Sequence, residues 1–252
     1  MPHTSYLQPH TSYPAPKAMI LSAGLGSRLK PWTNHHPKAL AIVNGKPLLQ
    51  RNIEYLQQFG IKEVILNVHH FAEQIREAVD LNKGWGSDIS ISDETDMVLE
   101  TGGGLIKAAW FFDKGDFVLM NTDVLTDMDL GAMISFHKSH ESLSTLAVTE
   151  RVTSRYFLFD EDDNLFGWRN VKSGEEKLVR TQDKMHPKAF SGIHVISPSI
   201  FNQITLQGKF SMVELYLQLA KTNQIKGFDH SHSKFIDVGK PESILQAEQL
   251  FR

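Results

Sequence analysis

The chain contains no cysteine. That excludes disulfides, thiolate metal sites and a cysteine nucleophile, and it is compatible with a reducing compartment. No apolar run approaches the length of a membrane span, and the N-terminus lacks the basic and apolar regions of a signal peptide, so the expectation is a cytoplasmic protein. An excess of one charge is missing too. With 26 Lys and Arg against 29 Asp and Glu, the formal net charge is −3, which gives no reason to expect a nucleic-acid or anionic-membrane partner. What remains is 252 residues, 41% hydrophobic and 22% charged, enough for one substantial core.

Residues 1–16 carry an imperfect seven-residue repeat, Pro2-His3-Thr4-Ser5-Tyr6 returning as Pro9-His10-Thr11-Ser12-Tyr13. Pro, Ser, Thr and His without apolar periodicity bury too little surface to order themselves, so a disordered tail is expected, followed by one domain over 17–252. Two histidines seven apart in such a tail are weak metal ligands.

The informative stretch is Lys17 to Leu40. A short apolar run, Ala18 to Leu21, has the size of a buried parallel strand and enters the loop Gly24-Leu25-Gly26-Ser27-Arg28. Near-adjacent glycines let backbone N–H groups close on an anion with no Cβ in the way. Arg28 and Lys38 then add a planar fork and a point charge. The combination fits a polyphosphate. It is neither of two better-known glycine loops: Leu29 stands where a dinucleotide fingerprint needs a third glycine, and no Gly-Lys-Ser/Thr follows Gly24 as a P-loop requires.

The string LSAGLGSRLKPWTNHHPKAL resembles the signature of the sugar-1-phosphate nucleotidyltransferases, with Ser27 where that family commonly has Thr. The resemblance implies a Rossmann-like α/β fold, a mixed, mostly parallel sheet flanked by helices, with a small antiparallel hairpin over the sugar site. It also implies Ala23, Gly24, Gly26 and Ser27 on the nucleotide, and Arg28 and Lys38 as the catalytic cations.

The remaining chain reads in the same sense. A helix opens at Pro47 and ends at Gly60, Val64–Val68 is a strand, and Phe71–Val79 a helix, the order of a parallel sheet with crossovers. His69 and His70 are read as satisfied loop histidines. Ile89 and Ile91 are expected inward on a strand, with Ser90 outward. Leu99-Glu100-Thr101-Gly102-Gly103-Gly104 precedes a helix, and three glycines there can aim free N–H groups at a ligand. The string L-E-T-G-G-G is similar to that of the N-acetylmuramate-1-phosphate uridylyltransferases, which implies Gly103 on the nucleotide and Glu100 and Thr101 on the sugar phosphate.

Phe117–Met120 is an apolar strand running into Asn121-Thr122-Asp123. A carboxylate at a strand's carboxyl end lies where open α/β sheets bind ligands, and its hard oxygens suit Mg²⁺; capping the next segment is the alternative. The family resemblance favours the metal, and implies Asn121 on the nucleotide. Asp127 and Asp129 are read as solvated or capping. Tyr156 to Arg180 reads as an antiparallel hairpin, with Asp160–Asn164 its solvated turn; Lys172, Lys177 and Arg180 either meet a sugar carboxylate or are surface charges. Ala189–Ile196 is a strand whose Gly192 permits close backbone approach, and its F-S-G-I text resembles the sugar-lining segment of the muramate enzymes. Ser211 is placed as N-cap of a helix to Lys221. Phe235-Ile-Asp237-Val-Gly-Lys-Pro-Glu resembles the family ending whose Asp is the second metal ligand, with Phe235 and Lys240 departing from the usual Trp and Thr. No hexapeptide β-helix repeat follows, so no acyltransferase activity is expected.

The implied reaction joins a nucleoside triphosphate to a sugar-1-phosphate with release of pyrophosphate and Mg²⁺ as cofactor. UTP with N-acetylmuramate-1-phosphate leads, and GTP with mannose- or heptose-1-phosphate is second. A non-catalytic nucleotide-sugar sensor and a cytidylyltransferase acting on a phosphorylated amino-alcohol are the readings of other kinds. The expected state is a monomer or small homo-oligomer.

Overall fold

In the computed structural model of the protein, residues 15–180 and 184–252 are described. The expected tail therefore lies almost wholly outside the described residues. β1 (Ala18–Leu21) is buried at every position, as a central strand covered on both faces must be. Through the signature loop and the short pair β2 (Ile42–Val43) and β3 (Lys46–Pro47), the chain reaches α1 (Leu48–Gln58). β4 (Glu63–Val68), α2 (Ala72–Leu81) and β5 (Asp88–Asp93) complete the first half. β4 pairs parallel with β1, and β5 parallel with β4. As the outer strand, β5 leaves Ile89 and Ile91 only half-buried, while Ser92 is buried, so the expected alternation is weaker than it reads.

The chain then returns through α3 (Glu100–Lys107) to β6 (Phe117–Asn121), on the other side of β1 and again parallel to it. Strand order thus reverses at β1. The carboxyl ends of β1 and β6, in register at Leu21 and Asn121, flank the crevice where such sheets take ligands.

Beyond β6 lie β7 (Val124–Thr126), α4 (Leu130–Ser139) and β8 (Ser144–Thr149). The three-stranded antiparallel unit β9 (Arg155–Phe159), β10 (Leu165–Asn170) and β11 (Glu175–Leu178) is the expected hairpin with one added strand. Its turn is closed by Asp160, whose Oδ1 accepts the N–H groups of Asp162 and Asn164. The 11-residue β12 (His186–Ile196) pairs antiparallel with β6, β8 and β9, and its register against β8 breaks between Phe190 and His194. α5 (Met212–Leu219), β13 (Ile225–Asp229), β14 (Phe235–Asp237) and α6 (Pro241–Leu250) end the chain. Ser211 caps α5 in a full capping box with Glu214, as read from sequence.

Two apolar clusters cover the two faces of the sheet, one around Leu119, Phe159 and Tyr216, the other around Ile20, Leu66 and Ile193. A third, smaller cluster joins Leu29, Ala41, Val43, Leu48, Leu125, Val238 and Ala247. It matters most for function. Burying residues of this size contributes about 1.5–3 kcal/mol each, and here that energy ties the signature segment, β7 and the β14–α6 ending to one another.

Candidate functional site

Each charged residue of interest has a buried apolar neighbour as its anchor. Arg28 precedes Leu29, Lys38 precedes Ala39, Asp123 precedes Val124 and Asp237 precedes Val238, and all four anchors are at most 3% exposed. The anchors are held by packing; Arg28, Lys38 and Asp123 line one cavity of about 450 Å³ at the reversal point of the sheet, and Asp237 lies beside it, two residues before the lining Gly239. Leu21, Ala23, Gly24, Gly26, Ser27, Arg28, Lys38, Glu100, Thr101, Asn121 and Asp123 all line it.

The first glycine loop behaves as its text implies. Among the described residues, the N–H groups of Ala23 to Ser27 make no hydrogen bond, so they are open to an anion. Gly26 has φ +59°, and a Cβ on it would fall 2.8 Å from Thr33 and 3.0 Å from the Lys38 stem. The turn is held by the Thr33 hydroxyl donating to the Gly26 carbonyl at 2.9 Å. Gly24 faces open space.

The second glycine run does something else. The N–H groups of Gly102 and Gly103 both donate to the Phe210 carbonyl, at 3.0 and 3.3 Å. A Cβ on Gly102 would strike the Phe210 ring at 2.5 Å, one on Gly103 the Gly208 carbonyl at 2.3 Å, and one on Gly104 the Glu94 carboxylate at 2.6 Å. The run is therefore a packing device between α3 and the segment before α5. The expectation of Gly103 on the nucleotide is corrected: it is buried and does not line the cavity. Glu100 does line it, at φ +60°, a region costly for a residue with a side chain. Thr101 also lines it, its hydroxyl accepting the Met212 N–H at 2.9 Å.

Gly192 is likewise corrected. It is not on the cavity wall; at φ +75° its missing Cβ makes room for the Asn121 amide, which would lie 2.7 Å away. Gly192 thus serves the site by seating Asn121. The hairpin cations do not reach the cavity either: Arg180 pairs with Asp160 at 3.0 Å and Lys177 with Glu175 at 3.2 Å, and no residue of the hairpin lines the wall. Asp129 caps α4 through the Ala132 N–H, and Asp127 accepts the Lys234 N–H.

Asp123 and Asp237 converge. β7 and β14 pair antiparallel, with Asp237 opposite Val124. Burial and then the neighbouring Asp123 carboxylate push the Asp237 carboxyl up, while Lys38 and Arg28 pull it down. Lys38, only 9% exposed, sets its ammonium directly on Asp123 Oδ2. Gly239, between Asp237 and the cavity, lets Arg28 and Asp237 approach one backbone position: a Cβ there would lie 2.6 Å from Asp237 Oδ1 and 3.0 Å from the Arg28 guanidinium.

Among the described residues no cluster of three or more His, Cys, Asp or Glu groups occurs. Two adjacent hard-oxygen carboxylates fit Mg²⁺, which takes its other ligands from water and phosphates, better than they fit a metal needing an all-protein cage.

Lining residues not read as site residues from sequence include Asn67, Glu94 and Ser211. Asn67 is 2% exposed at the end of β4, its Oδ1 accepting the Ser22 N–H at 2.7 Å and its amide donating to Glu94 Oε1 at 2.8 Å. Glu94 is fully buried, and burial pushes its carboxyl up. Ser211, the α5 cap, completes that side of the wall. A lone Asn in the run Val64–Val68 was the available signal for the first. His69, read as satisfied, places Nδ1 2.7 Å from the Glu94 carbonyl.

With this geometry in view, the family profile for nucleotidyl transferases matches residues 17–252. The chain belongs to that family. It is 32% identical over 246 residues to the N-acetylmuramate alpha-1-phosphate uridylyltransferase of Caulobacter vibrioides, covering 93% of this chain and 96% of that protein. It is 35% identical over 229 residues to the D-glycero-alpha-D-manno-heptose 1-phosphate guanylyltransferase of Campylobacter jejuni, covering 90% and 96%. Among solved structures, HddC from Yersinia pseudotuberculosis complexed with GMP-PN superposes with a TM-score of 0.76 at 26% identity, covering 94% of this chain and 99% of that one. The protein is a sugar-1-phosphate nucleotidyltransferase, and no helix among its described residues is long and apolar enough to cross a membrane.

Proposed function

We propose that the protein transfers the uridylyl group of UTP to N-acetylmuramate-1-phosphate, giving the UDP-sugar and pyrophosphate in the cytoplasm. The observation that carries the transfer chemistry is the meeting of Arg28, Lys38 and Asp123 on one cavity, with Asp237 against Asp123 and five open backbone N–H groups beside them. Likeness to full-length uridylyltransferases of that sugar supports the substrate.

The acceptor is already an anion, so its phosphate oxygen needs no general base. It forms a bond to the α-phosphorus while the bond to the β-phosphate oxygen breaks and pyrophosphate leaves. The barrier is the approach of two polyanions and the charge gathering on the leaving group. Arg28 and the amides of Ala23 to Ser27 hold the β- and γ-phosphates, and Lys38 holds the α-phosphate against the incoming phosphate. Asp123 and Asp237 hold Mg²⁺, which when bound supplies charge neutralisation between the two phosphates. Asn67 and Glu94 line the end of the cavity that receives the base, and Asn121, Glu100 and Thr101 face the acceptor.

Guanylyl transfer to a heptose- or mannose-1-phosphate is the second reading. Likeness to a heptose-1-phosphate guanylyltransferase of similar length supports it. A matrix of four nucleoside triphosphates against N-acetylmuramate-, heptose- and mannose-1-phosphate, read by pyrophosphate release, decides. The first reading requires UTP with N-acetylmuramate-1-phosphate to exceed every other pair; a GTP and neutral-sugar maximum replaces it with the second.

A further inference from the structure

The turn between β2 and β3 is Asn44-Gly45, the sole Asn-Gly pair in the chain. Its φ values of +48° and +75° are the two left-handed positions that a two-residue type I′ hairpin needs. The asparagine has a second task. Its side-chain amide donates to the Glu248 and Phe251 carbonyls, both at 3.0 Å, across more than 200 positions of sequence. They lie in and just past the last turn of α6, where a helix leaves carbonyls without partners of its own. An amide with two N–H donors satisfies both. Asn44 thus pins the end of α6 to the signature segment, while the start of α6 follows Val238 and Gly239.

Little else holds that end. Ala247 is the buried residue of α6, and Leu250 and Phe251 are only half-buried, so the last turn opens at low cost and frees the asparagine side chain. Asn44 and Gly45 are both exposed to water. Gly45 has no Cβ, and nothing lies within 4 Å of where one would stand, so its backbone nitrogen is open to the neighbouring side chain. The product of their reaction would reverse every contact of the clamp. A carboxylate at position 44 would face two carbonyl oxygens where two donors stood. It would also place negative charge at the negative end of the α6 dipole, beside the Glu248 carboxylate, whose Oε1 lies 3.4 Å from the Asn44 nitrogen.

We propose that Asn44 is a site of covalent modification by hydrolytic deamidation, which unpins the last turn of α6 and does not reverse. The Gly45 nitrogen, giving up its proton to hydroxide, bonds to Cγ of Asn44. The Cγ–Nδ2 bond breaks and ammonia leaves with a proton from water, closing a five-membered imide. Water then adds to one of the two imide carbonyls and the C–N bond there breaks. The outcome is aspartate, or isoaspartate with one more backbone methylene, and the second also spoils the turn.

The test ages the full native chain in mildly alkaline buffer, beside the same chain unfolded in urea. Peptide mass spectrometry reads the amide-to-acid conversion at position 44, and hydrogen exchange reads α6. The native chain is expected to convert at Asn44 with matching release of ammonia. Amides in the last turn of α6 then exchange about ten- to a hundredfold faster in converted than in unconverted protein. Asn44→Asp shows that fast exchange from the outset, and Asn44→Gln, which would need a larger imide ring, does not convert. Where Asn44→Asp fails to fold, the aged wild type alone supplies the comparison. A native chain that keeps the Asn44 amide while the unfolded chain loses it overturns the site, since the clamp then shields the turn. Conversion that leaves α6 exchange at its starting rate overturns the unpinning.

Discussion

Asp237 stands beside Asp123 because the Val238 N–H donates to the Asp123 carbonyl at 2.8 Å, joining β14 to the turn after β6. The two carboxylates differ in their company. Asp123 holds the Lys38 ammonium, whereas Asp237 is pushed up by burial and by Asp123. Substituting each residue should separate stability from turnover.

Asp237→Asn removes a like charge beside Asp123. It is expected to melt at or above the wild-type temperature while losing at least about 10²-fold in kcat. Asp123→Asn strands the buried Lys38 cation and is expected to lose activity on the same scale, with about 3 kcal/mol of stability. Thermal melts beside pyrophosphate-release assays check the pair; near wild-type turnover in either variant would remove it from the metal site.

Arg28 is exposed and holds no buried group in place. Arg28→Ala should melt with the wild type and lose about 10²-fold or more in kcat/KM for the triphosphate. A drop in melting temperature would show that Arg28 braces the loop instead.

The two glycine runs should respond in opposite ways. In Gly103→Ala the new Cβ meets the Gly208 carbonyl, and about 1–3 kcal/mol of stability is expected to be lost. In Gly24→Ala the Cβ meets no atom within 4 Å, so the melt is unchanged, but the methyl enters ligand space and KM for the triphosphate rises about tenfold. Denaturant melts and initial rates distinguish the two.

Acid should weaken the fold through His194. Its Nδ1 lies 2.7 Å from the Tyr216 hydroxyl in the core, and burial holds its pKa down at about 3, below the ordinary 6.5. Below pH 6.5 the unfolded chain binds a proton that the folded chain refuses, so stability falls with pH until the folded histidine titrates. By pH 5 that uptake alone costs about 2 kcal/mol. His194→Gln should flatten this part of the melting-temperature profile, and an unchanged slope between pH 6.5 and 5 would contradict it.

What was legible in the linear text had local causes. The β1–Gly24–Arg28 string, the apolar β6 ending at Asp123, the Ser211 cap and the Asp160 turn each depend on neighbours a few residues away, so spacing and residue type were enough. The packing of α3 on the Phe210 segment was not legible, because a glycine that admits a phosphate and a glycine that admits a carbonyl are written alike. Asn67 and Glu94 were missed for a related reason: each is polar in a place where only its distant neighbours reveal that it is buried. Residues 17–40 and the Asp-bearing strand ends thus carry the reaction class in their order alone. Which backbone amides stay open and which carboxylates meet were decided by the packing of Leu29, Leu125 and Val238, because contacts across more than a hundred residues exist only once a common core draws them together.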